Sequence, residues 1–311
     1  MNRKIASALL LGVTSIFGAA VWSQGVSDKP AAPTPAPAPA AQRPQFETTK
    51  VDGTENVYIF RSGNAQSMFV VTPAGVIATD PISYANPQAS TVYVSEIKKI
   101  TNQPIRYLVY SHHHFDHIAG GKPFKDVGAT IVAHQRVKDR LAVLKDPNTP
   151  LPDETFTGNR TLQLGGTTLE LHYLGLNHSD SNLVMRLPKE RIIFTVDWVP
   201  VGSLPGRAMI DSYPLEWEES LKKLIAMDWE RLIPGHPGAP NGRLGTKQDA
   251  QDILAFLQES SAAVQKEARA GKCWDTVEKE FSMPKYANWP GYAGALPFVS
   301  RRYCGLWGRG T

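Results

Sequence analysis

The sequence predicts an α/β domain in which two mixed sheets are sandwiched between layers of helix. Short apolar, β-branched runs alternate with helix-length amphipathic stretches. The same strand-and-helix theme occurs in each half of the chain. Residues 46–311 are also long enough to bury one sizeable core, as a single larger α/β domain requires.

In the first half, strands are expected near 56–60, 67–71 and 75–79, followed by a helix over 88–100 and a buried strand over 105–110. Ile131-Val132-Ala133-His134 reads as the end of another strand, and a helix over 137–144 follows. The second half should carry strands over 168–174 and near Asn182 and Arg191. A helix over 215–226 buries the stripe Leu221, Leu224 and Ile225. A short strand over 231–233 and a helix over 246–270 complete the set.

The amino terminus speaks to location. Asn2-Arg3-Lys4 is a short basic region and 5–21 is apolar with small residues at its end, so 1–23 reads as a secretory signal peptide cleaved after Ala20 or Ser23. A retained anchor is the rival, but the stretch is at the short limit for crossing a bilayer. Residues 24–45 are rich in Pro and Ala and read as an extended linker. These features predict a periplasmic or secreted protein with no stable membrane insertion after processing.

The net charge of +4 includes Arg3 and Lys4, and the remaining charges are mixed in sign. With no basic stripe interleaved with aromatics, a nucleic-acid partner is not expected, and a small molecule is the expected substrate. The two cysteines, Cys273 and Cys304, are a disulfide candidate in an oxidising compartment, the alternative being two buried thiols. They bracket an aromatic-rich extension, 271–311, expected to hold little secondary structure. Its aromatics should pack against the core, with a pocket wall or a homodimer surface as further uses.

The chemistry concentrates at Ser111-His-His-His-Phe-Asp-His-Ile118, directly after the 105–110 strand. His112, His114, Asp116 and His117 crowd imidazoles and a carboxylate into six residues, which is costly unless a cation offsets their desolvation and repulsion. Three more ligating side chains, His178, Asp197 and His236, each stand first after a predicted strand, where open α/β sheets bind ligands. Five histidines and two aspartates suffice for two metals and are too many for one tetrahedral ion.

In this order the residues resemble the metallo-β-lactamase fold superfamily of metallohydrolases. The resemblance covers roughly 46–256 and includes Asp80-Pro81. It implies a four-layer αβ/βα sandwich, with one metal held by His112, His114 and His178 and a second by Asp116, His117 and His236. Asp197 would bridge them, and Asp80 would orient a ligand imidazole. An aspartate at 197, where β-lactam-hydrolysing members usually carry cysteine or serine, is similar to glyoxalase II and the lactonases. His117 argues against the flavodiiron relatives.

The resemblance therefore implies two zinc ions and hydrolysis of an ester, lactone or related acyl bond by metal-activated hydroxide, with Asp116 steering the nucleophile or taking its proton. The alternatives are a β-lactamase, an iron oxygenase of the persulfide-dioxygenase type and a binding protein without turnover. His113 should point away from the metals. His134 is expected at the pocket rim or on the surface, and His172 should face solvent beside Glu170. Arg207 could pair with an acidic substrate group or be solvated, and Trp198 could line the substrate or fill the core.

Overall fold

Alternation of side chains across each strand divides the apolar residues into three buried layers, which is why this chain needs two sheets and two helix layers. The computed structural model describes residues 44–310. The expected signal peptide and nearly all of the linker lie outside the described residues.

Along the chain, β1 (Phe46–Lys50), β2 (Val57–Ser62), β3 (Ala65–Thr72) and β4 (Gly75–Thr79) precede α1 (Ala89–Ile100), β5 (Ile105–Val109), α2 (Phe115–Ile118) and α3 (Lys122–Asp126). Next come β6 (Thr130–His134), α4 (Gln135–Leu144) and β7 (Glu154–Phe156), then β8 (Arg160–Leu164), β9 (Thr167–His172), β10 (Val184–Leu187) and β11 (Ile192–Val196). After α5 (Pro214–Ala226), β12 (Arg231–Pro234) and α6 (Lys247–Arg269), the chain ends in α7 (Glu278–Glu280) and α8 (Tyr292–Arg309).

β1 to β7 form one sheet in sequence order, antiparallel as far as β4 and parallel from β4 to β7. The second sheet runs β12-β11-β10-β9-β8, with only the β11–β12 pair parallel. Both sheets are mixed, as predicted.

Period-two alternation is clear in β4. Val76 and Ala78 face α1 and its neighbours with Tyr93, Ile97, Phe124 and Leu141, while Ile77 faces the other sheet. Between the sheets lie Val70, Val109, Leu169, Met185, Phe194 and Ile233. Beyond the second sheet, Ile193 and Leu232 meet Leu221 and Leu224 of α5 and Phe256 of α6. Three cores between four layers give the αβ/βα sandwich.

α6 starts where a capping box forms: the Thr246 side chain accepts from the backbone N–H of Asp249, and the Asp249 carboxylate accepts from that of Thr246. The predicted apolar stripe of α5 is present, with Leu221 and Leu224 fully buried and Ile225 packed at the edge.

The carboxy-terminal segment differs from expectation. It contains an 18-residue helix, α8, despite an internal proline at Pro297. Tertiary packing decides the matter, because Val299, Tyr303 and Cys304 are buried against α6 and its surroundings. A Cys273–Cys304 disulfide, spanning a separation of 31 residues, ties α8 to the turn that follows α6.

Candidate metal centre

Four strands deliver the site. β4 and β5 are parallel neighbours in one sheet and β11 and β12 in the other, and all four end at the same edge. Asp80 follows β4, the 112–117 run follows β5, Asp197 follows β11 and His236 follows β12. His178 arrives on the long β9–β10 connection. The sheets are cross-tied there, with the Gln66 backbone donating to the Gly235 carbonyl (2.8 Å) and its side chain to the Pro234 carbonyl (2.7 Å).

Local backbone aims these groups. Val196 takes a left-handed φ of 59°, strained for a β-branched residue, and this turn swings Asp197 out of the strand direction into the edge. Gly235 is bare for a different reason. A Cβ there would stand 2.7 Å from His117 Cε1 and 2.9 Å from Asp197 Oδ1, so only hydrogen fits.

The seven sequence-predicted residues converge as two sets of donor atoms. His112, His114, His178 and Asp197 form one, and Asp116, His117, His236 and Asp197 the other, the atoms of each set lying within 4.8 Å of one another. Asp197 turns one oxygen to each. Its Oδ2 is 3.8 Å from His112 Nε2 and 3.6 Å from His178 Nε2. Its Oδ1 is 2.9 Å from His117 Nε2 and 3.3 Å from His236 Nε2. Asp116 Oδ2 completes the second set at 3.6 Å from His117 and 3.8 Å from His236.

These residues fit metal ions. Ligand bonds of 2.0–2.1 Å in a tetrahedron place donors about 3.3 Å apart, the middle of the separations found here. His112 Nε2 is buried without a hydrogen-bond partner among the described residues, an expensive arrangement unless something else binds it.

Electrostatics point the same way. Burial, then the neighbouring His114 and His178 rings, hold His112 well below the usual histidine range, and burial with His114 takes His178 down to about 4. Both are therefore neutral donors at pH 7. Burial also disfavours a charged His117, yet Asp197, Asp116 and Asp80 outweigh it and carry that ring up to about 9. The corner around His117 demands a positive charge, which a proton or a metal ion can supply.

The outer partners are only partly those expected. Asp80 is fully buried, accepts the Ser111 backbone N–H at 2.8 Å, and is pushed up to about 6 by burial against the pull of His117 and Ser111. His178 Nδ1 donates to the Ala208 carbonyl at 3.0 Å, and His236 Nδ1 to the Asn64 carbonyl. His114 Nε2 donates to Asp211 Oδ2 at 2.8 Å. Asp211 was not foreseen, because it is 97 positions from His114 with no motif around it. Burial raises its pKa, but hydrogen bonds from His113 and His114 hold the carboxyl far below its usual range.

The remaining histidines sort themselves. His113 belongs to neither of these two four-residue sets; it pairs with Ser181 at 3.0 Å and stands 3.6 Å from Asp211. His134 is at neither the rim nor the surface: it is buried, stacks on Tyr173 at 4.3 Å and accepts the Arg136 backbone N–H to cap α4. His172 is half-buried beside Glu170 at 3.0 Å. Trp198 is fully buried and fills the core.

Beside the donors opens a cleft of about 760 Å³. Val201, Leu204, Pro205, Ala208 and Ile210 give it an apolar wall, with Arg207 exposed among them. Its floor holds His114, Asp116, His178, Asp197 and His236. The size is that of a small-molecule site.

Comparison with known proteins agrees with this fold. A family model described as the metallo-beta-lactamase superfamily matches residues 84–236. The chain carries a metallo-beta-lactamase superfamily domain. Relatives include the 2,4-dinitroanisole O-demethylase subunit alpha of Nocardioides sp. (strain JS1661), 25% identical over 62% of this chain. The aligned region spans 58% of that subunit, less than two thirds of its length. A metallo-beta-lactamase type 2 of Bacteroides fragilis is 26% identical over 57% of this chain and 70% of its own. In fold, a metallo-beta-lactamase from Pontibacter korlensis superposes with a TM-score of 0.61 at 24% identity, covering 69% of this chain and 99% of that one.

Proposed function

We propose that this metallo-beta-lactamase superfamily protein is a dinuclear zinc hydrolase that cleaves an ester, lactone or related acyl bond of a small molecule. The observation that carries the reading is Asp197, whose two oxygens face two separate sets of three further donors. On this reading His112, His114 and His178 hold one ion, Asp116, His117 and His236 the other, and Asp197 spans both. When bound, the ions supply Lewis acidity toward the scissile oxygen and a nucleophile at neutral pH.

The chain's own residues do the rest. The apolar wall of the cleft receives the body of the substrate and excludes water from the reacting bond. Asp116, nearly half exposed at the cleft floor, is placed to orient the nucleophile and take its proton. Arg207 lines both the cleft and a neighbouring depression beyond Asp116, so an acidic substituent on either side would meet it. Export by the amino-terminal segment belongs to the same proposal. Among the described residues no helix is long and apolar enough to cross a membrane.

β-Lactam hydrolysis is the second reading, supported by the names of several relatives. A carboxylate at 197 stands against it. Elemental analysis of purified protein, with turnover of lactone, ester and cephalosporin substrates before and after chelation, separates the readings. About two zincs per chain and chelator-sensitive lactone or ester cleavage supports the first; dominant cephalosporin turnover supports the second. A single iron without hydrolysis would overturn both.

A further inference from the structure

Two of the three imidazoles in the first donor set are held from behind by one short segment of the cleft wall. His178 donates to the Ala208 carbonyl and His114 to the Asp211 carboxylate, three residues further on. The second set rests on other elements, with His236 braced by the Asn64 carbonyl. Asp211 is itself braced. His113 Nε2 stands 3.6 Å from its carboxylate. The same ring pairs with Ser181 and lies 3.5 Å from Asp180, which Arg140 holds at 2.7 Å. Behind the segment, Arg302 of α8 donates to the Ser212 carbonyl at 2.7 Å.

We propose that Asp211 is a positioning residue for His114, and that the 208–211 segment sets the affinity of the His112/His114/His178 position while leaving the Asp116/His117/His236 position alone. The inference rests on the metal reading above. Its physical basis is general. A ligand imidazole that donates its second N–H to a carboxylate is fixed in tautomer and orientation and becomes a stronger donor, and loss of such a partner lowers metal affinity by about 10- to 100-fold. With Nε2 committed to Asp211, His114 presents Nδ1, which lies 2.9 Å from His178 Nε2 at the point where the set converges. The segment that shapes the cleft therefore also holds half of the metal centre. A substitution selected for a new substrate would change zinc occupancy as well.

The test is a zinc titration of the metal-free protein against a chromophoric chelator, for the wild type, Asp211→Ala and Asp211→Asn. Asp211 is nearly half exposed, and unfolding of the metal-free variants checks that the fold is kept. The expected result is one site weakened by about 10- to 100-fold in Asp211→Ala and the other unchanged, with Asp211→Asn between Ala and wild type because the amide oxygen still accepts the N–H. In the cobalt-substituted protein, the absorption of one ion should shift and that of the other stay.

Two undisturbed sites in Asp211→Ala would overturn the inference, as would equal weakening of both. Loss of a third ion from a wild type holding three would make Asp211 a ligand in its own right and overturn it too. A wild-type chain that takes up no divalent ion would instead overturn the hydrolase reading beneath it.

Discussion

Gly235→Ala isolates the steric half of the site from its chemistry. The ideal Cβ falls 2.7 Å from both His117 Cε1 and Val196 Cγ1 and 2.9 Å from Asp197 Oδ1. Carbon contacts settle near 3.5 Å or beyond, so the neighbours must yield by about 0.8 Å. Overpacking of this kind costs about 1–3 kcal/mol. Replacing glycine at an ordinary φ gains about 0.4–1 kcal/mol through the unfolded chain. The steric cost wins, leaving the metal-free variant about 1–2 kcal/mol less stable, a fall of roughly 2–8 °C in Tm for a domain of this size. His117 and Asp197 would shift by more than the roughly 0.5 Å such a constellation tolerates, and a misplacement near 1 Å costs on the order of 100-fold in rate. Urea and thermal unfolding of chelated protein read the first effect; zinc titration and lactone or ester turnover read the second. Unchanged stability and unchanged zinc affinity in Gly235→Ala would refute the reasoning, since they would mean that the walls around position 235 give way freely.

Four further outcomes are expected. Asp197→Asn should reduce zinc content to one ion or fewer per chain by elemental analysis and abolish turnover, because one donor set loses its oxygen to an amide NH2 and the other keeps only an uncharged carbonyl oxygen. Asp116→Asn should keep most of its metal while kcat falls by about 100- to 10,000-fold; equal loss of metal and rate would remove its proposed role. Cys273→Ser should cost about 3–4 kcal/mol in urea unfolding, and the same loss should follow reduction of the wild type. Burial raises the Asp249 carboxyl, but hydrogen bonds from Arg243 and Thr246 outweigh it and hold the group below its usual range. Its stabilising effect is therefore full above the ordinary carboxylate pKa and lost as pH falls through the lowered one. Unfolding measured from pH 6 downward should show a shallower acid loss in Asp249→Asn.

The candidate donors were legible because each follows an apolar strand, and a strand end in an α/β sheet is a place the sequence marks by itself. Packing between the sheets then follows from period-two alternation, as in Val76, Ile77 and Ala78. What escaped the sequence depends on contacts across the fold. Asp211 has no local signature and acquires its role only when the 199–213 connection folds back over His114. α8 carries Gly294, Pro297, Gly305 and Gly308, a composition that disfavours helix, and is held by burial of Val299 and Tyr303 and by the disulfide. His134 looked like a surface residue because nothing local announces the Tyr173 ring that covers it. β1, with the polar sequence Phe-Glu-Thr-Thr-Lys, is an edge strand whose pairing with β2 defines it.

The bare position at Gly235 has a consequence for how this protein can diversify. One side of the cleft is closed to variation, since even a methyl group there displaces His117 and Asp197. In the 200–211 wall the Arg207 and Ile210 side chains reach solvent, while Val201, Leu204 and Met209 are buried. Mutational drift toward new substrates is thereby channelled to the part of that wall that precedes the brace on His178 and His114, and libraries aimed at altered specificity should be built over 200–207, leaving 208–211 and position 235 untouched.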